Sequence, residues 1–228
     1  SLTGHSAEEL SKKFTEMQDD SEVTAGFMWQ KTTRESKKYQ LRGEILSFIP
    51  VDKNVEIMLV TITNTGRMAQ TVTPTAAIPL YGRSADNIRD HRHVTSLLHR
   101  IETTDTGVLV TPTLSFDERG HQVNHMTYYC VGWSGNGEKP VDFYPTAEDF
   151  VGEGGNFERP YAIVKNAEGV KAGTKIEGLE AVGGLHFSEI TLEPEEECSY
   201  LIFTGITEDI QEIRNLSKTY TTLSLIHI

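Results

Sequence analysis

One stretch in the middle of the chain, residues 74–101, concentrates the side chains that could do chemistry. Guanidinium forks, imidazoles and amides bind hydroxyl-rich or anionic ligands, and loops on rigid scaffolds often carry such groups. A long connection whose charges are solvated or paired with one another is the alternative. The pattern predicts a binding loop or active-site rim with these candidate residues: Tyr81, Arg83, Asn87, Arg89, Asp90, His91, Arg92, His93, His99 and Arg100.

Three histidines of this stretch raise the question of a metal site. His91 and His93 are two residues apart, so an extended backbone would point both to one face, and His99 could add a third ligand. The neighbouring arginines would repel a cation, and no further Cys or His has supporting spacing. We therefore predict hydrogen-bonded histidines and no metal.

A second candidate loop lies at residues 141–160, which are rich in Gly, acidic and aromatic residues and show no regular pattern. Glycoside chemistry needs well-placed carboxylic acids, and this loop offers Glu148, Asp149, Glu153 and Glu158. A solvated acidic loop explains them as well. The chain has no phosphate-binding glycine loop, nucleophile elbow or dinucleotide fingerprint.

Composition limits the classes of protein that this chain can represent. A length of 228 residues suits one β-sandwich or barrel domain. The net charge of -12 argues against a nucleic-acid partner, and no apolar run is long enough to cross a bilayer. Cys130 and Cys198 lie in apolar runs and read as buried free thiols, although a disulfide stays open. Free thiols favour a cytoplasmic location.

The first half of the chain reads as a short helix followed by strands. Ser6 and Glu9 form a capping box before apolar residues at helical spacing, so residues 1–22 are predicted as a helical lead-in. From residue 23 the spacing of apolar residues changes from helical to strand-like, and residues 23–205 are predicted as a β-sandwich domain. The strands expected in its first part are residues 23–32, 39–49, 55–63 and 70–78.

The second half continues the strand pattern and closes with a helix. Strands are expected at residues 107–114, 125–133, 162–164, 185–192 and 198–204, the first two as antiparallel neighbours. The apolar phase shifts within residues 185–192, which predicts a bulge. Thr207 is expected to cap a helix that carries Ile210, Ile213 and Leu216 on one face. We predict a linker helix from 206 to 221 and a non-native tail at 222–228 that resembles translated sequencing adapter.

Three segments together resemble a known family. They are YGRSADNIRDHRHVTSLLHRI at residues 81–101, VEIMLVTITNTG at 55–66 and LEPEEECSYLIFTG at 192–205. The first is specific, and the other two are common in sandwich domains of sugar enzymes. The chain resembles the N-terminal β-sandwich domain of glycoside hydrolase family 94 phosphorylases, of the cellobiose phosphorylase type and closest to 1,2-β-oligoglucan phosphorylases.

This resemblance implies a fold and a function. The fold would be all-β, an antiparallel β-supersandwich like that of galactose mutarotase, cut off from a C-terminal (α/α)6 barrel. The parent enzyme would be an inverting hexosyltransferase that phosphorolyses β-linked gluco-oligosaccharides, β-1,2 first, to sugar 1-phosphate. Inorganic phosphate is its co-substrate and no cofactor is implied. The partners would be an oligosaccharide, the missing helical barrel and, in the full-length protein, a second subunit. The catalytic acid would belong to the barrel.

Two other functions fit the residues. One is a stand-alone carbohydrate-binding module, which would use the loop that ends at His99 and Arg100. The other is a mutarotase-like aldose epimerase, which needs a His and a carboxylate on one sheet face. Its strand-borne candidates are His125, His186 and Glu189.

Overall fold

The computed structural model describes residues 20–82, 95–117, 120–157 and 159–220. Most of these residues are in antiparallel strands, as the predicted supersandwich requires. The strands are β1 (Asp20–Gly26), β2 (Trp29–Ser36), β3 (Leu41–Phe48), β4 (Val55–Asn64), β5 (Gln70–Val72), β6 (Thr75–Leu80), β7 (Arg100–Thr103), β8 (Gly107–Val110), β9 (Leu114–Asp117), β10 (Gly120–Val123), β11 (Thr127–Ser134), β12 (Asp142–Thr146), β13 (Lys175–Glu177), β14 (Ala181–His186), β15 (Ile190–Leu192) and β16 (Glu197–Thr207).

The helices of the described residues are short. They are α1 (Ala147–Val151), α2 (Tyr161–Val164) and α3 (Ile210–Thr219). The predicted N-terminal helix lies outside the described residues. The C-terminal helix is present, but the prediction that Thr207 caps it is wrong. Asp209 is the cap, and its carboxylate accepts a hydrogen bond from the Gln211 backbone N–H at 2.8 Å.

Within the described residues, one large sheet forms the first layer of the sandwich. Its nine strands follow the order β1-β2-β3-β4-β16-β11-β8-β7-β13. The long strands β4 and β16 lie at its centre and pair over the stretch from Val55 opposite Gly205 to Thr63 opposite Glu197. Strands β4 and β16 carry apolar side chains at both odd and even positions, and therefore on both faces of the sheet. This pattern is typical of a strand in the interior of a layered fold.

The second layer is narrower. Strands β12, β14 and β6 pair in that order, and β15 pairs with β5 just beyond them. The main core lies between the two layers and includes Val108, Cys130, Leu185, Leu192 and Ile202. Cys130 and Cys198 are both free thiols.

Two further apolar clusters attach the helices. On the outer face of the large sheet, Leu201 and Phe203 pack against Ile213 and Leu216 of α3. On the outer side of the second layer, Phe150 of α1 and Ala162 of α2 pack on Tyr144 and Val182. The second of these clusters holds α1 and α2 against the three-stranded sheet, next to the cavity described below.

Several predicted elements differ from the structure because turns interrupt them. Residues 23–32 form the β1–β2 hairpin, whose turn contains Phe27 and Met28, the latter at φ 60°. The sequence there has no Asn-Gly or Asp-Gly signal. Residues 70–78 divide into β5 and β6 on either side of Pro74, which has no N–H for a strand ladder. Residues 107–114 and 125–133 are antiparallel neighbours as predicted, through the β8–β11 pairing.

Three other local predictions are wrong. Residues 162–164 belong to α2 and not to a strand, since Pro160 lies at the helix N-cap and a three-residue apolar run does not define a period. Residues 185–192 contain no bulge, because β14 ends at His186 and β15 begins a new pairing at Ile190. Residues 141–160 are not irregular throughout, since they contain β12 and α1.

Candidate functional site

A cavity of about 290 Å³ lies where the central segment of the sequence meets the second layer. Its walls are mixed, and we name it the polar cavity after the His99, Glu180 and Asn156 side chains that line it beside apolar residues. Its walls come from the end of β6, the turn before β7, helix α1 with the loop after it, and the start of β14. The lining residues are Pro79, Leu80, Tyr81, Gly82, Thr95, Ser96, His99, Ala147, Val151, Gly155, Asn156, Phe157, Glu180, Ala181 and Val182. The cavity therefore collects residues that are up to about a hundred positions apart in the chain.

Local sequence explains how α1 forms one wall. The Thr146 hydroxyl accepts a hydrogen bond from the Asp149 backbone N–H at 3.0 Å and donates one to the Asp149 carboxylate at 2.6 Å. This arrangement caps the helix at its positive end, where a carboxylate is also favourable. Gly152 ends the helix at φ 77°, a conformation that suits glycine. Ala147 and Val151 then lie on the side of α1 that lines the cavity.

His99 forms the buried end of the cavity. Its side chain is 4% exposed, and Nδ1 lies 3.1 Å from the Leu179 carbonyl oxygen. Because a carbonyl oxygen can only accept, Nδ1 carries the proton and donates it to this bond. The backbone of the same turn is fixed by hydrogen bonds from His99 N–H to the Ser96 carbonyl at 2.9 Å and from Gly178 N–H to the His99 carbonyl at 3.0 Å.

The charge of His99 follows from its burial. Burial lowers the pKa of the imidazole below its ordinary 6.5, while the Leu179 and Gly82 backbones and the charge of Glu180 act in the opposite direction. The imidazole is therefore neutral at neutral pH. A neutral ring can hydrogen-bond hydroxyl groups but does not attract an anion by its charge.

The remaining polar groups of the cavity suit a hydroxyl-rich ligand. Glu180 is half-buried and contributes a carboxylate, Asn156 is exposed and contributes an amide, and Thr95 and Ser96 contribute buried hydroxyls. Phe157 adds an aromatic ring that is 45% exposed. Planar polar groups beside an exposed ring are the combination that binds a sugar, because the ring covers C–H groups while the polar groups meet the hydroxyls.

The described lining of the cavity lacks the pair of carboxylates that glycoside hydrolysis requires. Both hydrolytic routes use a pair of Asp or Glu residues on either side of the scissile bond. Among the described residues that line the cavity, Glu180 is the single carboxylate.

The structure describes three of the ten residues predicted for the loop. Tyr81 and His99 both line the cavity. Arg100 turns away from it, and its Nε lies 3.4 Å from Glu177 on the neighbouring strand β13. The other seven, Arg83, Asn87, Arg89, Asp90, His91, Arg92 and His93, lie outside the described residues, and their roles stay predictions.

Sequence reasoning missed most of the lining residues. Thr95, Ser96 and Glu180 carry no local signal, since an isolated hydroxyl or carboxylate beside a strand is common on any surface. Asn156 and Phe157 lie in the glycine-rich second loop, residues 141–160, where the sequence pattern singled out only the acidic residues. The exposed aromatic residue after those glycines is the one signal that could have indicated a site.

The described acidic residues of the second loop, Glu148, Asp149 and Glu153, do not line this cavity. Glu148, Asp149 and Glu153 line a separate depression with Tyr144, Tyr161 and Glu168. Asp149 is engaged in capping α1, as described above, and Glu158 lies outside the described residues. Across the described part of the chain, no group of three or more His, Cys, Asp or Glu side chains is arranged to hold a metal ion.

The epimerase candidates are not placed as that function requires. Neither His125 nor Glu189 lies in a strand, and both are exposed. His186 ends β14, where its Nδ1 lies 2.7 Å from the buried carboxylate of Asp142, and Lys171 approaches the other carboxylate oxygen at 4.0 Å. None of the three candidates lines a cavity described here. The contact between His186 and Asp142 ties β14 to β12.

No helix in the described residues has the length and apolar character needed to cross a membrane.

Comparison with known proteins gives a family match and distant structural neighbours. The model of the "Glycosyl hydrolase 94, supersandwich domain" family matches residues 9–223. A search of curated proteins gives no match. A bacterial glucoamylase complexed with acarbose is similar in structure, with a TM-score of 0.50, 10% identity, and coverage of 92% of this chain and 26% of that chain.

Two further structures match less well. A TPR-domain containing protein from Parabacteroides distasonis has a TM-score of 0.36, 11% identity, and coverage of 84% of this chain and 35% of its own. A human-microbiome protein assigned as a kojibiose phosphorylase has a TM-score of 0.31, 8% identity, and coverage of 90% and 22%.

These structural likenesses have limits. The glucoamylase shows the fold alone, and the scores of the other two are too low to support an argument. This chain spans about a quarter of the length of the glucoamylase chain. The family match covers nearly the whole sequence and agrees with the resemblance carried by residues 55–66, 81–101 and 192–205. The chain belongs to the glycosyl hydrolase 94 family and is its supersandwich domain.

Proposed function

We propose that this supersandwich is the N-terminal domain of an inverting glycoside phosphorylase that converts β-linked gluco-oligosaccharides, β-1,2-linked ones first, into sugar 1-phosphate. Family membership supports the enzyme class. The similarity of residues 81–101 to 1,2-β-oligoglucan phosphorylases supports the linkage. The helical barrel of the same enzyme would supply the catalytic acid and the phosphate site, and a second subunit would complete a homodimer.

Within such an enzyme, the role of this domain is to hold the sugar chain and not to cleave it. The observation that carries this role is the polar cavity, where neutral His99, the Glu180 carboxylate and the exposed Phe157 ring face one space. A carboxylate that accepts hydrogen bonds from sugar hydroxyls contributes more than a neutral acceptor does, because the bond is charge-assisted. We therefore expect substitution of Glu180 to weaken sugar binding more than substitution of any other described residue of the cavity.

The experiment uses an enzyme that contains this chain followed by a helical barrel. Phosphate-dependent release of glucose 1-phosphate is measured with β-1,2- and β-1,4-linked gluco-oligosaccharides. We expect release from both substrates, with the larger kcat/KM for the β-1,2 linkage. We expect Glu180→Gln to lower kcat/KM about tenfold, since a hydrogen bond to a charged group contributes about 1.5–3 kcal/mol.

Glu102→Gln is the matched control. Glu102 is an exposed carboxylate on β7 that pairs with Lys175 and does not line the cavity. An equal loss of activity in both variants would show that the cavity has no special role. Absence of phosphorolysis with every β-linked substrate would reject the enzyme class.

A further inference from the structure

An apolar cleft of about 550 Å³ lies between the two layers of the sandwich. One wall is the inner face of the large sheet, from β3, β4 and β16. The opposite wall is formed by β5 and β6, and α2 with the loop before it forms the rim. The lining residues are Leu41, Val60, Ile62, Val72, Thr73, Pro74, Thr75, Ala76, Ala77, Phe150, Phe157, Pro160, Ile163, Phe187, Tyr200 and Ile202.

The unequal width of the layers explains the cleft. In the described residues the large sheet has nine strands, whereas β12, β14 and β6 make a sheet of three. The large sheet is therefore wider than the second layer, and Val60 and Ile62 of β4 line the cleft. The rim residues Phe157 and Ile163 line the same cleft and are 45% and 49% exposed.

The apolar cleft is a neighbour of the polar cavity, and the two share one lining residue. Phe157 lines both. Strand β6 also runs along both, since Thr75, Ala76 and Ala77 line the cleft while Pro79 and Leu80 line the polar cavity. Two residues of a strand span about 7 Å, so a single small molecule can reach from one space to the other.

We propose that the two spaces form one bipartite site for a glycoside with an apolar aglycone, such as an alkyl or aryl β-glucoside. The sugar would lie in the polar cavity beside Glu180 and His99, and the apolar group would lie in the cleft beside Ile163 and Tyr200. This inference rests on the proposed sugar-binding role of the polar cavity. The adjacency of the two spaces at Phe157 and along β6, and volumes in the range of small-ligand pockets, argue for this ligand over a protein segment.

The test compares methyl β-glucoside with octyl β-glucoside, titrated below its micelle-forming concentration into the protein and followed by calorimetry. The octyl chain adds seven methylenes, and each one that becomes buried strengthens binding roughly fourfold. Burial of two methylenes is enough for octyl β-glucoside to bind at least tenfold more tightly. Glu180→Gln should weaken both ligands.

A matched pair of variants on α2 locates the apolar group. Ile163 lines the cleft, whereas its neighbour Val164, which is 53% exposed, does not. We expect Ile163→Asp to remove the octyl advantage, and Val164→Asp to retain it. Both side chains are about half exposed, so the fold should survive, and thermal unfolding of each variant checks this.

The outcomes separate this inference from the proposed function. Equal affinity for the two glucosides, with Glu180→Gln weakening both, overturns the bipartite site and leaves the sugar site intact. If Glu180→Gln changes neither glucoside binding nor phosphorolysis, the proposed sugar role itself fails. If Ile163→Asp leaves binding of octyl β-glucoside unchanged, the detergent binds elsewhere on the surface and the cleft is rejected as its site. The same conclusion follows if Val164→Asp weakens binding as much as Ile163→Asp does. Self-association that Ile163→Asp abolishes would assign the cleft to a second copy of the chain.

Discussion

Helix α3 allows a sharp test of how the outer face of the large sheet is packed. Leu216 is 5% exposed and Ile213 is 7% exposed, and both pack against the sheet with Leu201 and Phe203. Ile210, one turn earlier, is 41% exposed. We predict that Leu216→Ala destabilises the chain far more than Ile210→Ala does, although periodicity alone places both on one apolar face.

The magnitude follows from burial. Replacing a buried leucine by alanine costs about 2–5 kcal/mol, depending on how well the site collapses. A surface helix can settle onto the sheet, so we expect the lower part of that range, about 2–3 kcal/mol. Ile210→Ala should cost less than about 1 kcal/mol, as surface substitutions do.

Urea unfolding measures both free energies, with thermal unfolding as a second probe. For a chain of this length, 1 kcal/mol shifts Tm by about 2–4 °C, so Leu216→Ala should lower Tm by about 5–10 °C. Both substitutions put alanine into the same helix, so helix propensity favours both variants slightly. Equal destabilisation by the two variants would refute the packing of α3 derived from the structure.

Three further results are expected. A Cβ on Gly107 would lie 2.1 Å from the Cys130 carbonyl oxygen. Gly107→Ala should therefore cost more free energy of unfolding than Gly137→Ala, whose Cβ meets nothing and whose penalty is the strain of φ +84°. Burial raises the pKa of the Cys130 thiol to about 12, so alkylation of the native protein should modify half-buried Cys198 first, and fast labelling of Cys130 would contradict its burial. Because the pKa of His99 is lowered from 6.5, the unfolded state binds more protons below that pH, and the free energy of unfolding should fall as the pH drops from 6.5. His99→Gln should flatten this part of the curve, and an unchanged slope would argue against a buried neutral imidazole.

The two long central strands, β4 and β16, were predictable from the sequence. Residues 55–63 became β4, and residues 198–204 became the centre of β16. Both stretches are rich in β-branched, leucine or aromatic residues over a full strand length, so the local sequence is long enough to indicate a buried strand. The burial of Ile213 and Leu216 followed from helical spacing in the same way.

Short or interrupted elements were not predictable. The hairpin turn at Phe27 and Met28 lacks the Asn-Gly or Asp-Gly pair that usually marks such a turn. The three apolar residues at 162–164 are compatible with a strand or with one turn of a helix. Only the surrounding packing decides such cases, since Ala162 is buried among Tyr144, Phe150 and Val182. Local propensity is weak beside tertiary contacts of this kind.

The sequence by itself determined the class of this protein. Alternating strands specified an antiparallel β fold, and the motif at residues 81–101 indicated a family 94 sandwich, which the family match confirmed. The same motif contains Tyr81 and His99, which both line the cavity, and their binding role stays a prediction. Only the tertiary structure decided that His99 meets Leu179 across 80 residues, that Glu180 and Phe157 join the same cavity, and that Arg100 leaves it. The reason is physical: residue order encodes the period and propensity of each segment, whereas the partners of a side chain are set by which strands pair and in which register.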